Sequence, residues 1–234
     1  MERVKTGIKG FDNLLEGGFP RGKIVLLSGT PGTCKTIFAL QYLYNGATEF
    51  NEKGIYVSFE ERDSSLKNQA KQFGWDFDRL EKTGMVKIIS ISPKEIKEST
   101  ASEILKIAGQ NKIKRLVIDS LSALSINTPT TFSKVSDITD ISIKRFMYLF
   151  INELRDAKNE ITSLLVSQTT NGQLSRDTVS EFICDGILHI NYETLGGKYS
   201  RTLKIRKMRE TGHDEDIHPI EVTPKGLVLH KFEE

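Results

Sequence analysis

The densest chemistry in the chain sits in Gly29-Thr30-Pro31-Gly32-Thr33-Cys34-Lys35-Thr36. These residues follow the apolar run Ile24-Val25-Leu26-Leu27 and open an amphipathic run from Ile37 to Tyr44. Strand, glycine turn and helix make the context in which a G-x-x-x-x-G-K-[ST] loop wraps a phosphate chain, because turn amides and the helix N-terminus aim donors at one anion. Lys35 is expected to neutralise the outer phosphates and Thr36 to ligate Mg²⁺. The backbone of Thr30, Pro31, Gly32, Thr33, Cys34 and Ile37 is expected to supply the rest of the cradle. One position departs from the pattern, since Cys34 stands where the last glycine belongs. A Cβ and sulfur there are expected to crowd the β-phosphate or the preceding strand, at about 1–3 kcal/mol. That is roughly tenfold to a hundredfold in nucleotide affinity, so binding is expected to weaken without being abolished. The thiol, at a helix N-terminus beside Lys35, is expected to be relatively acidic.

Three further runs end in groups that suit the same chemistry. Gly54-Ile55-Tyr56-Val57-Ser58-Phe59 ends on Glu60-Glu61, Arg115-Leu116-Val117-Ile118 ends on Asp119, and Ile161 to Val166 ends on Ser167-Gln168. In an open parallel sheet, ligands bind beyond the carboxyl ends of the strands. If these strands are neighbours, one crevice holds a phosphate cradle, an acid for the Mg²⁺ shell (Asp119), a general base for water and an amide to sense the terminal phosphate (Gln168). Adjacent side chains of an extended segment point oppositely, so only one of Glu60 and Glu61 activates water, and the sequence does not say which. Each group also has a plainer reading: Asp119 as a turn cap, Glu60-Glu61 as an acidic helix start, Gln168 as a loop amide.

The elements that position these groups alternate. Strands are predicted at about Lys23–Ser28, Gly54–Phe59, Met85–Ile91, Arg115–Asp119 and Ile161–Gln168, and helices at Lys35–Glu49, Ser64–Phe73, Thr100–Gln110 and Ile143–Lys158, after a short helix from Gly10 to Glu16. Asp185–Tyr192 and Tyr199–Met208 alternate like antiparallel strands around Leu195-Gly196-Gly197, and Ile217–Val222 and Gly226–Leu229 follow around Pro224-Lys225-Gly226. This pattern predicts an α/β fold: a mostly parallel twisted sheet flanked by helices, with antiparallel strands at the C-terminal end. Residues 125–141 and 169–180 read as surface loops, the second polar and mobile.

The bulk numbers restrict the function classes. A chain of 234 residues suits one α/β domain, 1–234. Hydrophobic residues at 38% and charged residues at 27% are those of a soluble globular protein. A net charge of +2 does not by itself imply nucleic acid or an anionic membrane. No apolar run approaches the length of a bilayer span, and the start Met1-Glu2-Arg3-Val4-Lys5-Thr6 lacks the apolar segment of a signal peptide. Cys34 and Cys184 make neither a disulfide framework nor a zinc pattern, so a cytoplasmic location is expected.

Over nearly its whole length the chain resembles the KaiC-like branch of the RecA superfamily of ATPases, in its archaeal single-domain form. The resemblance runs through Thr6-Gly7-Ile8-Lys9-Gly10-Phe11-Asp12, Leu14-Leu15, Gly17-Gly18, the phosphate loop, Glu60-Glu61, Gly74-Trp75-Asp76 and Asp119-Ser120. Its most specific part is Lys207-Met208-Arg209-Glu210-Thr211-Gly212-His213. In the family this K-x-R-x-T-x-H segment reaches the neighbouring subunit's nucleotide. The resemblance therefore implies that Lys207, Met208, Arg209, Thr211 and His213 contact ATP in trans, with Lys207 and Arg209 near the γ-phosphate and Thr223 nearer the base or ribose. It also implies a homo-oligomer, a hexameric ring in relatives. A finger supplied in trans would tie hydrolysis to assembly. The family's clock member has two such domains and a phosphorylated tail, so no clock function is expected to carry over.

Three functions remain in competition at this level. The first is an oligomeric ATPase using Mg²⁺, the second a nucleotide-dependent regulator or scaffold with little turnover. The third is a recombinase-like DNA-binding protein, for which the basic content is thin: Arg176 in 169–180 and Lys134 in 125–141.

Overall fold

The computed structural model describes residues 1–129, 140–156, 161–169, 173–192 and 200–231. Two short strands, β1 (Arg3–Val4) and β2 (Phe19–Pro20), pair antiparallel around a 3₁₀ turn at Asp12–Leu15. The strands that follow are β3 (Ile24–Gly29), β4 (Gly54–Ser58), β5 (Val86–Ser90), β6 (Arg115–Asp119), β7 (Thr162–Gln168), β8 (Gly186–Tyr192), β9 (Arg201–Met208), β10 (Ile217–Thr223) and β11 (Gly226–Leu229). The helices are α1 (Lys35–Glu49), α2 (Asp63–Lys71), α3 (Phe77–Lys82), α4 (Thr100–Gln110), α5 (Leu121–Ile126), α6 (Asp140–Asp156) and α7 (Ser180–Ile183).

Nine strands form one sheet in the order β11-β10-β9-β8-β3-β7-β6-β4-β5. From β5 to β8 neighbours run parallel, and β9, β10 and β11 are each antiparallel to the one before. The expected mixture of a parallel block with C-terminal antiparallel strands is present. Strands β3, β4 and β6 are buried at every residue, as continuous apolar runs covered on both faces must be. One face packs Val25, Leu27, Tyr56 and Val117 against Phe38 and Leu43 of α1, Leu66 of α2 and Phe77 of α3. The other packs Leu26, Ile55, Leu116 and Ile118 against Ile104 of α4, Leu124 of α5, Met147 and Phe150 of α6 and Ile183 of α7.

A buried cation ties the layers together. Arg115, with no exposed surface, pairs with Glu52 and donates to the carbonyls of Tyr42 and Lys5, each at 2.8 Å. Its guanidinium lies 4.7 Å from the Tyr42 ring centre.

Several expectations need correction. Helices α3 and α5 do not follow from the sequence pattern, and α5 takes Ser125 and Ile126 out of the expected surface loop. The 173–180 stretch is packed in rather than loose: Ser175, Asp177 and Ser180 are buried, and the Asp177 carboxylate accepts from the amides of Val179 and Ser180. The Leu195-Gly196-Gly197 turn, Lys134 and the rest of 130–139 lie outside the described residues.

Candidate functional site

The neighbour condition is met. Strands β3, β7, β6 and β4 are consecutive in the sheet, with Gly29 beside Gln168, Val166 beside Asp119 and Asp119 beside Ser58. The phosphate loop, Gln168, Asp119 and the start of Glu60-Glu61 therefore share one edge.

At the loop, Gly29 lets strands approach: a Cβ there would meet the Ile190 carbonyl oxygen at 2.3 Å. Gly32 is left-handed, at φ +82°. Helix α1 starts at Lys35 with no side chain capping its first amides, which leaves those donors and the positive helix end for an anion. Lys35 is buried and folds back, its Nζ donating to the Thr30 carbonyl at 2.8 Å and to Thr33 Oγ1 at 3.3 Å. Burial lowers the pKa of its ammonium, opposed by Asp119 and Glu60. Thr33 Oγ1 also donates to the Thr30 carbonyl, at 2.8 Å. Pro31 is exposed and Ile37 half-buried.

Cys34 departs from expectation in two ways. Its backbone is left-handed, at φ 67° and ψ 25°, a conformation that costs a residue bearing a Cβ about 1–2 kcal/mol. The strain is thus torsional, and the side chain packs toward the core beside α1. The thiol is not acidified: burial raises its pKa, against the opposing charges of Arg201 and Lys35.

The oxygen pair suits a hard cation. Thr36 Oγ1 donates to Asp119 Oδ2 at 3.0 Å, and an oxygen-only pair of this kind fits Mg²⁺, which retains several waters and few protein ligands. Tyr56 OH donates to the same Asp119 oxygen at 2.5 Å. Burial pushes the Asp119 carboxyl above the usual carboxylate range, and the Tyr56 and Thr36 hydrogen bonds pull it back.

The two glutamates divide. Glu60 turns into the crevice, where Ser120 Oγ donates to one of its oxygens and Gln168 Nε2 to the other at 3.0 Å. Gln168 is fixed by Ser122, whose hydroxyl accepts from its amide at 2.8 Å. Glu61 turns away onto α2, accepting from Ser65 Oγ and Gln69 Nε2, both at 2.6 Å.

The basic segment lies elsewhere. Lys207 pairs with Ile187, which lies beside Leu26, and the Arg209 amide bonds the carbonyl of Asp185. Counting residues and strands from Gly29 puts their backbones roughly 15–20 Å from the loop, on the opposite edge of the sheet. Lys207 Nζ donates to the Cys184 carbonyl at 2.7 Å and Arg209 to that of Phe182 at 3.1 Å, so both close the C-terminal end of α7. Thr211 accepts from Arg3 at 2.7 Å, and His213 Nδ1 lies 3.2 Å from the Asp214 carbonyl oxygen. The Met208 side chain is buried under Gly186. Thr223 lies on the loop's edge but three strands out from β3, with its hydroxyl donating to the Gly226 carbonyl at 2.7 Å.

Three residues at the site escaped the sequence reading. A tyrosine inside the buried run Gly54–Ser58 needs a polar partner, and that was the available signal for Tyr56. Ser122 gave none. Arg201, whose Nε donates to the Gly32 carbonyl at 3.1 Å, reaches the loop from β9.

The chain resembles known proteins along its full length. The family described as "ATPase: KaiC" matches residues 4–234. A UPF0273 protein of Thermotoga maritima is 35% identical over 251 residues, covering 100% of this chain and 98% of the relative. A UPF0273 protein of Pyrococcus horikoshii is 34% identical over 245 residues, covering 97% and 94%. The crystal structure of a KaiC-like protein from Pyrococcus horikoshii superposes with a TM-score of 0.85 at 35% identity, covering 98% of this chain and 99% of that one. With the family match spanning almost every residue and the fold shared, the chain belongs to the KaiC family of ATPases.

Proposed function

We propose that the chain is a Mg²⁺-dependent ATPase that works as an oligomer, cleaving ATP to ADP and phosphate at the loop of one copy, with an adjoining copy's Lys207 and Arg209 completing the site. The observation that carries this reading is the division of charge between two edges of the sheet. The loop, Lys35, Thr36, Asp119, Glu60 and Gln168 share one edge, while Lys207 and Arg209 sit on the other, too far to serve their own loop. Cations so placed can act on a bound nucleotide only across an interface that joins opposite edges of two copies, a head-to-tail contact of the kind that generates rings when its rotation closes. A hexameric ring is the assembly the family resemblance implies.

In this reading the loop amides and Lys35 bind the phosphates, and Thr36 with Asp119 would hold Mg²⁺, which neutralises developing charge on the phosphoryl oxygens when bound. Glu60 takes the proton of the attacking water, oriented for it by Ser120 and Gln168. No helix among the described residues is long and apolar enough to cross a membrane.

Calorimetry with Mg·ATP on the parent and on Lys35→Ala, alongside phosphate release, tests the proposal. The parent binds and releases phosphate, and the variant loses tenfold or more of its affinity. Absence of binding heat from both the parent and Cys34→Gly overturns it. The left-handed Cys34 favours one second reading, a nucleotide-dependent regulator with little turnover. Binding without phosphate release above background selects that reading.

A further inference from the structure

Arg201 belongs to none of the motifs, yet three contacts fix it above the phosphate loop. It opens β9 directly opposite Tyr192, the last residue of β8, and its guanidinium carbon lies 5.1 Å from the Tyr192 ring centre. One terminal nitrogen donates to Ser200 Oγ at 3.4 Å. The Nε donates to the Gly32 carbonyl at 3.1 Å. A guanidinium stacked on an aromatic face is held in a plane, so its remaining donors have a fixed direction.

The loop needs such a hold at that point. Gly32 is left-handed, at φ +82°, and the space where a Cβ would stand is open, so no neighbour packs against it on that side. Two residues later Cys34 sits in the left-handed region that disfavours any side chain with a Cβ. The loop's own preference is therefore to leave this shape. The other ties act earlier in the loop: Lys35 and Thr33 hold the Thr30 carbonyl, and the Thr169 amide holds that of Gly29.

We propose that Arg201 is a positioning residue in cis, which clamps the phosphate loop through the Gly32 carbonyl and so offsets the strain of Cys34. The inference rests on the nucleotide-binding reading above. When only a fraction of molecules holds the competent loop, apparent affinity falls by that fraction. Arg201 raises the fraction in a chain whose loop lacks the last glycine. With glycine at position 34 the loop keeps its shape unaided, and the clamp matters less.

The test is a double-mutant cycle of Mg·ATP dissociation constants by calorimetry, on the parent, Arg201→Ala, Cys34→Gly and the double variant, with thermal melts to verify folding. The expected result is about a tenfold loss of affinity for Arg201→Ala in the parent background, the scale of one lost charge-assisted hydrogen bond. In the Cys34→Gly background the loss is below about threefold, and the two substitutions couple accordingly. Arg201→Gln repeats the comparison with the aliphatic stem kept, as a safeguard against misfolding of the alanine variant. Equal affinity of Arg201→Ala and parent overturns the proposal. Equal losses in both backgrounds also overturn it, since they mean that Arg201 acts on the nucleotide and not through the loop. If neither the parent nor Cys34→Gly binds, the nucleotide reading fails and the inference falls with it. If only Cys34→Gly binds, nucleotide binding stands for the fold and the offsetting role of Arg201 is refuted.

Discussion

Replacing Glu60 and Glu61 by glutamine, one at a time, separates two side chains that the sequence cannot rank. Glu60 is exposed at the crevice and anchored at both oxygens by Ser120 and Gln168, so glutamine of the same shape leaves the fold intact. What is lost is the ability to accept a proton from water. A positioned general base contributes about 10²–10⁴-fold, or roughly 3–5 kcal/mol of transition-state stabilisation. Substrate binding is not weakened, because the substitution removes a negative charge that acts on Lys35 from a site that receives a polyanion. The defect is therefore in kcat, with KM unchanged or lower. Glu61 is engaged with Ser65 and Gln69 on α2, so Glu61→Gln costs about 0.5–1.5 kcal/mol of stability and leaves turnover within about threefold. Steady-state phosphate release as a function of ATP, paired with thermal melts, reads both effects. The reasoning is refuted if Glu60→Gln keeps more than a third of parental kcat, or if Glu61→Gln is the variant that stops turnover.

Two further predictions concern the frame. Arg115→Ala leaves the Tyr42 and Lys5 carbonyls without their guanidinium donor and Glu52 with Arg21 as its remaining cation, and is expected to destabilise by about 2–4 kcal/mol, read by denaturant unfolding. Gly46→Ala places a Cβ 2.5 Å from Arg115 Cδ and is expected to cost about 1–3 kcal/mol in the same assay. A pH prediction follows from Asp214, whose carboxyl is held below its ordinary range by the Asp216 amide and His218, against a smaller opposing effect of burial. A depressed folded pKa gives stability that is present above the unfolded value and lost as pH falls through the folded one. Asp214→Asn should therefore be less stable than the parent near neutrality, with the gap closing below the normal carboxylate range. A gap that persists undiminished well below that range contradicts the assignment.

Much of the sheet was legible because its strands are short apolar runs with polar ends. The helix Lys35–Glu49, the helix Thr100–Gln110 and the strand Arg115–Asp119 lie where periodicity puts them. Helices α3 and α5 escaped because six residues are fewer than two helical turns, too few for a period to show. Their local signals were caps, Asp76 accepting from the Arg79 amide and Ser120 from that of Ala123. Types and spacing put Lys35, Thr36, Asp119 and Gln168 at one edge of the sheet, where the structure brings them together, but the direction of each glutamate depends on Ser120, Ser65 and Gln69, which only packing brings near. The torsion at Cys34 could have been anticipated, since the pattern calls for glycine at a left-handed position. The reach of Arg201 to Gly32 spans most of the chain and leaves no trace in local sequence.

Mixed oligomers test the shared site most directly. Lys35→Ala disables the loop of a subunit and leaves its Lys207 and Arg209 intact, and Arg209→Ala does the reverse. Each variant alone is expected to release little phosphate. When equal amounts are dissociated, combined and reassembled, about one interface in four pairs an intact loop with an intact Arg209 across a head-to-tail contact, so about a quarter of parental turnover should return. A mixture that stays as inactive as its components, or an Arg209→Ala protein that is fully active alone, contradicts a site shared between copies.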